Sequence, residues 1–258
     1  MDTSTAKDVK KEEIISKEVS EIMNQQKLCL MRTIVEKQDP TSKEYDDQVF
    51  RRLLRYRKLN VDEASERFLR YLKWRKSFVP NGWISETEIP NEIAQDKVFL
   101  QGFDKKGRPI GILFFGRHFP TKGKDSHAEY KRYLVYCLDK LCARMPVGQE
   151  QFTFIGDFRG WGLPNFDVKG LQVMISILQD YFPETLAQAF LVHHPNIFKT
   201  MWKFIRPFIR SNTQKKIVFL ESKMITPRLL QDIDEDQLPE IYGGKLPIVP
   251  IQDTIVAN

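Results

Sequence analysis

Apolar positions along this chain recur with two spacings, one typical of strands and one typical of helices. Short continuous apolar runs, which predict buried strands, occur at 97–103, 108–115, 152–155, 189–192 and 216–220. Apolar residues at every third or fourth position, which predict amphipathic helices, follow three of these runs, at 126–144, from 167 onwards and at 196–210. Strands that alternate with helices predict crossover connections, a parallel sheet and an α/β fold.

Two helical regions precede the first predicted strand. Residues 1–40 are polar and rich in Lys and Glu, with apolar residues at roughly helical spacing, so we expect a charged helix that ends before Asp39-Pro40. Residues 49–58 predict a short helix. Asn60 and Glu63 then form the pattern of a capping box, which predicts the start of another helix.

The segment 196–210 carries two contrasting faces. Helical spacing brings together on one face Ile197, Met201, Phe204, Ile205 and Phe208. The other side is basic and carries Lys199, Lys203, Arg206 and Arg210. A helix with a heavy apolar face and a basic edge is suited either to covering a core or to lying on an anionic membrane.

Composition and charge restrict the class of protein. The chain of 258 residues is 41% hydrophobic, which is ample for a core, and 29% charged, which is normal for a soluble surface. Its net charge of +6 favours anionic partners, either nucleic acid or anionic lipid. The 40 basic residues are interleaved with 34 acidic ones rather than gathered in a block, so we do not expect nucleic-acid binding.

The distribution of cysteines and apolar runs indicates the compartment. The three cysteines, Cys29, Cys137 and Cys142, are an odd number without metal-like pairing, which predicts reduced thiols. The N-terminal region lacks the apolar core of a signal peptide, and no apolar run approaches the roughly 20 residues of a membrane-spanning helix. We expect a soluble, cytoplasmic monomer.

No pattern in the chain predicts covalent catalysis, a cofactor or a metal site. Gly160-Trp161-Gly162 begins like a dinucleotide-binding loop, but Asn165 stands where the third glycine is required. The adjacent His193 and His194 end a predicted strand and point to opposite faces, so they cannot easily share a metal ion. We expect one of these histidines to be buried and hydrogen-bonded and the other to be exposed.

A set of short motifs, each weak alone, occurs in a fixed order along the chain. They are the helical block 49–78, Gly107-Arg108-Pro109, Asp157-x-Arg159-Gly160, Tyr181-Phe182-Pro183-Glu184, Pro207-Phe208 and Tyr242-Gly243-Gly244. In this order they resemble the CRAL-TRIO lipid-exchange family, and most closely its phosphatidylinositol-transfer branch. The resemblance implies a helical N-terminal lobe beside a five-stranded, mainly parallel sheet. The sheet would floor an apolar pocket closed by a movable gate helix, which the segment 196–210 matches.

The resemblance covers about residues 45–247 and divides the chain. It implies an N-terminal helical lobe at 45–80 and a lipid-binding domain at 90–247, separated by a linker rich in turn-forming residues. Outside these regions lie a charged segment at 1–44 and a C-terminal tail at 248–258.

The same resemblance implies a set of headgroup-binding residues. In members that bind inositol lipids, an arginine, a glutamate, a threonine and a lysine hold the headgroup, and the matching positions carry Arg57, Glu184, Thr213 and Lys216. Asp104 and Pro109 match further headgroup contacts. An inositol ring offers hydroxyls that a carboxylate accepts, and its phosphodiester suits Lys or Arg. Alternatively, Arg57, Glu184 and Lys216 pair with one another and have only a structural role.

One group of positions departs from the pattern of members that also bind phosphatidylcholine. Those members use a serine, a threonine and two tyrosines, and the corresponding positions carry Phe152, Phe154, Leu100 and Gly111. The hydroxyls that would hold a choline lipid are missing, although Thr153 lies between the two phenylalanines. Which second ligand exchanges with an inositol lipid therefore stays open.

The leading hypothesis is a non-enzymatic carrier of a phospholipid, namely phosphatidylinositol, that contacts anionic membranes transiently. On this hypothesis Met201, Phe204, Ile205 and Phe208 cover a pocket that also contains Phe152 and Phe154. One alternative is a carrier of another hydrophobic molecule, of the tocopherol, retinoid or sterol type. Another is a lipid-sensing regulatory module for a lipid kinase or a small GTPase.

Overall fold

The computed structural model describes residues 3–120 and 126–254, and for residues 3–18, Ser126 and Lys199 it describes the backbone only. The chain divides into two compact units, Met1–Pro80 and Asn81–Asn258. The first unit contains the helices α1 (Thr3–Gln38), α2 (Asp47–Tyr56) and α3 (Val61–Phe78). Among the described residues, no helix combines the length and the apolar character needed to cross a membrane.

The first unit is a three-helix assembly with its own apolar core. The start of α3 is capped as expected, because the Asn60 side chain accepts a hydrogen bond from the Glu63 backbone N–H at 3.1 Å. α1 ends at Gln38, immediately before Asp39-Pro40, which confirms the predicted boundary of that helix. The core that joins the three helices contains Leu28, Met31, Val35, Phe50, Leu53, Leu54, Phe68 and Leu72.

The second unit contains six α-helices in its described residues: α4 (Pro90–Ile93), α5 (Ser126–Ala143), α6 (Val168–Asp180), α7 (Asn196–Ile205), α8 (Ser211–Gln214) and α9 (Ile225–Asp232). Its strands are β1 (Val98–Phe103), β2 (Pro109–Phe114), β3 (Phe152–Asp157), β4 (Leu186–Val192) and β5 (Ile217–Phe219). They form one sheet in the order β1-β2-β3-β4-β5, in which only the β1–β2 pair is antiparallel. The predicted α/β fold with a five-stranded, mainly parallel sheet is confirmed.

Both faces of this sheet are covered, which explains why its strands are almost continuously apolar. Alternate strand residues on one face pack against α9 and the segment that follows it, and they include Ile110, Ile112, Ile155, Phe190 and Val192. The alternate positions Gly111, Phe154 and Leu191 belong to the other face, which is covered by α5, α6 and α7. The end of the described chain also joins the sheet region, because Ile251 is fully buried and donates its N–H to the Val98 carbonyl at 3.0 Å.

One helix boundary differs from the sequence predictions. The segment 196–210 is not one helix, because α7 ends at Ile205 and a short 3₁₀ turn, Arg206–Phe208, follows. Pro207 has no N–H to continue the helical hydrogen bonds and its ring clashes with the preceding turn. Further along the chain, in the first turn of α9, the Thr226 hydroxyl donates to the Tyr242 carbonyl at 2.8 Å.

Candidate ligand-binding site

A cavity of about 250 Å³ lies within the second unit, between one face of the sheet and the helices α5, α6 and α7. Its floor is formed by sheet residues, including Leu100, Gly111, Phe152, Phe154, Ala189 and Leu191. Its walls come from the apolar faces of the three helices, including Leu134, Leu138, Leu141, Leu171, Met174, Leu178, Phe198 and Met201. The lining is overwhelmingly apolar, as expected for a site that takes a hydrophobic ligand.

The floor of the cavity carries no hydroxyl at the positions that the family pattern assigns to a choline lipid. Phe152, Phe154, Leu100 and Gly111 all line the cavity. Thr153 points to the opposite face of the sheet, where its buried hydroxyl donates to Asp104 Oδ2 at 2.6 Å. The cavity therefore lacks the hydroxyls that would hold a choline lipid at these four positions, and the Thr153 hydroxyl does not replace them.

α7 covers the cavity with only one of its two apolar stripes. Phe198, Met201, Trp202 and Ile205 follow the spacing of one helix face, and all line the cavity. Phe204 is 73% exposed and Phe208 is 55% exposed, and neither lines it. The expectation that both share a pocket face with Met201 and Ile205 is wrong. Phe204 lies about 100° around the helix from Ile205, and the turn at Pro207 separates Phe208 from the helix.

The exposed side of this region combines apolar and basic residues. Ile197 is also largely exposed, and with Phe204 and Phe208 it forms what we call the outer ridge. Lys203, Arg206 and Arg210 are exposed beside the ridge, whereas the side chain of Lys199 lies outside the described part of the structure.

Parallel strands begin at the same edge of the sheet, and several predicted headgroup residues meet at this amino edge. Glu184 lies just before β4 and Lys216 just before β5, and the Lys216 ammonium lies 3.1 Å from Glu184 Oε2. The same ammonium donates to the Leu186 carbonyl at 2.7 Å. Thr213, in α8, lines the cavity, and its carbonyl accepts the Lys216 N–H at 3.0 Å.

Glu184 is held in an uncommon backbone conformation. Its φ of +59° lies in the left-handed region, which is costly for a residue with a Cβ. The turn is fixed on both sides, because Gln151 Nε2 donates to the Glu184 carbonyl at 3.1 Å and the Thr185 hydroxyl donates to the Phe182 carbonyl at 2.7 Å. This conformation holds the Glu184 carboxylate beside Lys216 at the amino edge.

Asp104 and Pro109 lie at the same edge, in the turn before β2 and at its first residue. The Asp104 carboxylate is buried and accepts hydrogen bonds from the backbone N–H groups of Lys106 and Arg108, from the Arg108 side chain and from Thr153. These contacts shape the β1–β2 turn, and they occupy the oxygens of Asp104 with partners from the protein itself.

Arg57 belongs to the first unit, where it is the C-terminal capping residue of α2. Its guanidinium lies 3.5 Å from Glu63 Oε2 and over the ring of Tyr56. The structural alternative expects Arg57, Glu184 and Lys216 to pair with one another. Glu184 and Lys216 do form an ion pair, whereas the ion pair of Arg57 is with Glu63.

Comparison with known protein families assigns this chain to one of them. Residues 94–244, more than half of the chain, match the sequence profile described as "CRAL/TRIO domain". The chain belongs to the CRAL/TRIO family. The resemblance seen in the sequence is thereby confirmed.

Relatives are about 30% identical to this chain over the aligned residues. It is 31% identical over 209 residues to the phosphatidylinositol/phosphatidylcholine transfer protein SFH7 of Arabidopsis thaliana, covering 75% of this chain and 38% of that protein. For SFH12 of the same plant, which has the same descriptive name, the identity is 29%, covering 85% of this chain and 42% of that protein. This chain thus spans less than half the length of these relatives.

A solved structure supports the CRAL/TRIO fold independently. The crystal structure of Sfh5 superposes with a TM-score of 0.61 and covers 78% of this chain and 73% of that chain. At 22% sequence identity, this likeness bears on the fold alone.

The Asp-x-Arg-Gly and Tyr-Gly-Gly motifs of this CRAL/TRIO domain meet at the opposite end of the strands, the carboxyl edge. Asp157 is fully buried and accepts hydrogen bonds from the Arg159 backbone and guanidinium and, at 2.9 Å, from the Tyr242 hydroxyl. Burial alone would raise the pKa of Asp157, but the hydrogen bonds from Arg159 and Tyr242 hold this pKa below its usual value. Gly244 cannot carry a side chain, because a Cβ would lie 2.0 Å from the Leu238 carbonyl oxygen.

The two adjacent histidines are both half-buried, so the expectation of one buried and one exposed histidine is wrong. His193 has a φ of +53°, and its Nδ1 lies 3.1 Å from Asp157 Oδ1. The His194 ring packs edge-on against Phe219. This leaves both rings committed to neighbours on the carboxyl edge.

The sequence analysis missed a chain of buried polar groups at the carboxyl edge. Lys97 is buried and forms an ion pair with Glu92, and its ammonium lies 3.0 Å from His118 Nδ1. His118 Nε2 lies 3.5 Å from Asp167 Oδ2. Burial and the neighbouring Lys97 lower the pKa of His118 to about 4, so the imidazole is neutral at physiological pH and its Nε2–H faces Asp167.

No local sequence pattern predicts this chain of buried polar groups. Lys97 and His118 are 21 positions apart, and only the pairing of β1 with β2 brings them together. His118 and Asp167 also line the cavity, so the carboxyl edge supplies it with a polar end.

Proposed function

We propose that this chain binds a phospholipid, phosphatidylinositol, in the cavity and transfers it between membranes without catalysing a reaction. The observation that carries the proposal is an apolar cavity that reaches Thr213, beside the Glu184–Lys216 pair. Support also comes from relatives whose names describe phosphatidylinositol/phosphatidylcholine transfer.

The amino edge offers the chemistry that an inositol phospholipid requires. The Glu184 carboxylate can accept hydrogen bonds from ring hydroxyls, and the Lys216 ammonium and Thr213 hydroxyl can donate to the phosphodiester. The Glu184–Lys216 pair retains 28% and 18% of its side-chain exposure, so a ligand can insert between the partners. In this proposal Asp104 and Pro109 shape the edge.

The cavity explains why a carrier is useful. Two acyl chains carry roughly 30 methylenes, and exposing them to water at about 0.8 kcal/mol each costs on the order of 20 kcal/mol. A closed apolar cavity lowers this barrier, because the chains pass from bilayer to protein without meeting water.

The gate proposed for this cavity is α7 with the turn that follows it. The inner stripe, containing Met201 and Ile205, covers the cavity in solution, where these side chains contact the lipid chains. The outer ridge of Ile197, Phe204 and Phe208 enters the membrane interface, and each basic residue beside it adds about 1 kcal/mol on an anionic leaflet. Two stripes with separate roles allow the helix to contact the membrane before it uncovers the cavity.

The experiment is transfer of labelled phosphatidylinositol between vesicles by the purified full chain and its variants. Lys216→Ala and Glu184→Ala each remove a charge-assisted hydrogen bond, so we expect transfer to fall by at least about tenfold. Lys223→Ala is the matched control, because Lys223 is highly exposed and its one ion-pair contact within the described residues is a distant one, at 4.0 Å with Glu221. If both site variants transfer the lipid as fast as the wild type, the headgroup assignment is wrong.

A second candidate is a carrier of a different hydrophobic molecule, and the cavity floor favours it. Phe152 and Phe154 leave the floor without the hydroxyls that would hold a choline headgroup. Mass spectrometry of lipid that co-purifies with the protein separates the two candidates, because an inositol phospholipid and a neutral lipid differ in mass and charge.

A further inference from the structure

The wall of the cavity formed by α5 carries polar side chains that the phospholipid proposal does not use. Tyr130, Tyr133 and Cys137 follow helical spacing and all line the cavity. Tyr130 is 7% exposed and Tyr133 is 1% exposed. Their rings lie near Lys97, at the carboxyl edge, whereas the Glu184–Lys216 pair lies at the amino edge.

The hydroxyl of Tyr130 has no hydrogen-bond partner within the described part of the chain. Two other buried tyrosines of the second unit are paired, since Tyr136 donates to Glu86 at 2.7 Å and Tyr242 donates to Asp157 at 2.9 Å. A hydroxyl that loses water without gaining a partner costs free energy, and such groups are rare in folded proteins. An unpartnered hydroxyl on a side chain that lines a ligand cavity therefore points to the ligand as its partner.

Packing fixes the ring of Tyr130 in place. It lies against the His118 ring with a centroid distance of 5.0 Å, and the Lys97 ammonium lies 5.2 Å from its centre. α6 packs closely against the edge of the ring, since a Cβ at Gly170 would lie 3.2 Å from Tyr130 Cε1. A ring held in this way presents its hydroxyl at a defined position before ligand arrives.

Charges near this wall disfavour a phosphate. The Lys97 ammonium is committed to Glu92, Gln95 and His118, and His118 is neutral. Asp167 adds a carboxylate, and its contacts are with His118, His127 and the Gly170 N–H. A phosphate would thus meet carboxylates and no uncommitted cation in the described residues of this wall, whereas an uncharged oxygen would meet only a hydrogen-bond donor or acceptor.

We propose that the Tyr130 hydroxyl, with Tyr133 beside it, forms a second polar subsite of the cavity that binds the hydroxyl or carbonyl oxygen of a neutral lipid. The oxygen lies at the carboxyl edge and the hydrocarbon extends through the apolar middle towards Thr213. The inference rests on the proposed function for the premise that the cavity takes a lipid. Because both lipids need the same apolar middle, they exclude each other.

The test uses two probes of equal chain length that differ only in one oxygen, hexadecan-1-ol and hexadecane. Each radiolabelled probe is offered to the purified full chain in phosphatidylcholine vesicles, and the label carried by the protein is counted after the vesicles are removed. We expect the ratio of alcohol uptake to alkane uptake to fall about tenfold in Tyr130→Phe, the factor for one buried hydrogen bond. Tyr136→Phe, on the same helix but outside the cavity lining, should keep the wild-type ratio.

The outcomes also separate this inference from the phospholipid proposal. Equal ratios in the wild type and Tyr130→Phe overturn the subsite, whatever the protein does with phosphatidylinositol. A Tyr130-dependent preference for the alcohol, in a protein that fails to transfer phosphatidylinositol, supports the subsite and contradicts the proposed function. Alkane uptake equal in all three proteins shows that the cavity itself is intact in each of them.

Discussion

His118 shows how a single buried residue depends on its neighbours for its protonation state. It lies between the Lys97 ammonium and the Asp167 carboxylate, both part of one buried chain. Burial lowers the pKa of Lys97 and raises the pKa of Glu92, and each effect is opposed by the other member of the pair. A neutral His118 fits this arrangement, because its Nδ1 accepts from Lys97 and its Nε2–H faces Asp167.

This assignment predicts a pH-dependent stability. The pKa of His118 is about 4 in the folded protein, below its ordinary value of 6.5, so between these values the unfolded chain binds a proton that the folded one does not. The free energy of unfolding should therefore fall as the pH falls, with His118 contributing a loss of about 2 kcal/mol between pH 7 and pH 5. Urea unfolding at several pH values measures it. His118→Gln should lack this contribution, and an unchanged slope in that variant would contradict a neutral His118.

The tyrosines of α5 give a second prediction for single residues. In lipid-free protein, Tyr130→Phe removes a hydroxyl for which the described residues offer no partner, so it should keep or raise the free energy of unfolding, by up to about 1 kcal/mol. Tyr136→Phe loses the hydrogen bond to Glu86 and should lower it by about 1 kcal/mol. Thermal or urea unfolding compares the two. A Tyr130→Phe variant less stable than Tyr136→Phe would show that Tyr130 has a structural partner.

At the residue scale, the sequence predicts the site residues that belong to family motifs. It does not predict contacts between residues that lie far apart in the chain and meet only in the folded protein. Glu184 and Lys216 are 32 positions apart and 3.1 Å from each other in the structure, and the family pattern predicts both as site residues. No family motif includes Tyr130, whose hydroxyl has no hydrogen-bond partner among the described residues. Apolar spacing on a helix does not reveal whether a tyrosine hydroxyl will find a partner.

At the scale of elements, the strands could be predicted because both faces of the sheet are covered. Apolar runs then mark each strand, as at 152–155, and the order of runs and helices gives the parallel sheet. The helix in the segment 196–210 is predicted less well, because the apolar spacing continues through Pro207, where the helix itself cannot continue. The break after Ile205 places Phe208 in a separate turn and changes the surface that the segment presents.

The outer ridge gives a prediction for this element. Replacing Phe204 and Phe208 together by Asp should reduce binding to anionic vesicles by at least about tenfold, because two phenylalanines can no longer enter the interface and two negative charges face the leaflet. Stability should change by less than about 0.5 kcal/mol per site, since both side chains are mostly exposed. Co-sedimentation with vesicles measures the binding.

A matched control is available in the loop between α5 and β3. Val147 is fully exposed, and Val147→Asp adds a charge without touching the ridge. Wild-type binding by the Phe204/Phe208 double variant, or an equal loss in Val147→Asp, would show that the ridge is not the membrane-contacting surface.

At the scale of the whole second unit, the cavity is an apolar space with a different polar end at each edge of the sheet. The amino edge carries the Glu184–Lys216 pair, which suits a charged headgroup. The carboxyl edge carries tyrosines and committed charges, which suit an uncharged oxygen. A carrier built in this way would exchange a phospholipid for a neutral lipid, rather than for a second phospholipid, because its floor at Phe152 and Phe154 lacks hydroxyls.

Native mass spectrometry of the protein after incubation with vesicles of phosphatidylinositol and phosphatidylcholine tests the central claim most directly. We predict one phosphatidylinositol bound per chain in the wild type and in Lys223→Ala, and a strong loss of that species in Lys216→Ala. Protein that stays free of lipid, or that takes phosphatidylcholine with equal preference, would contradict the account.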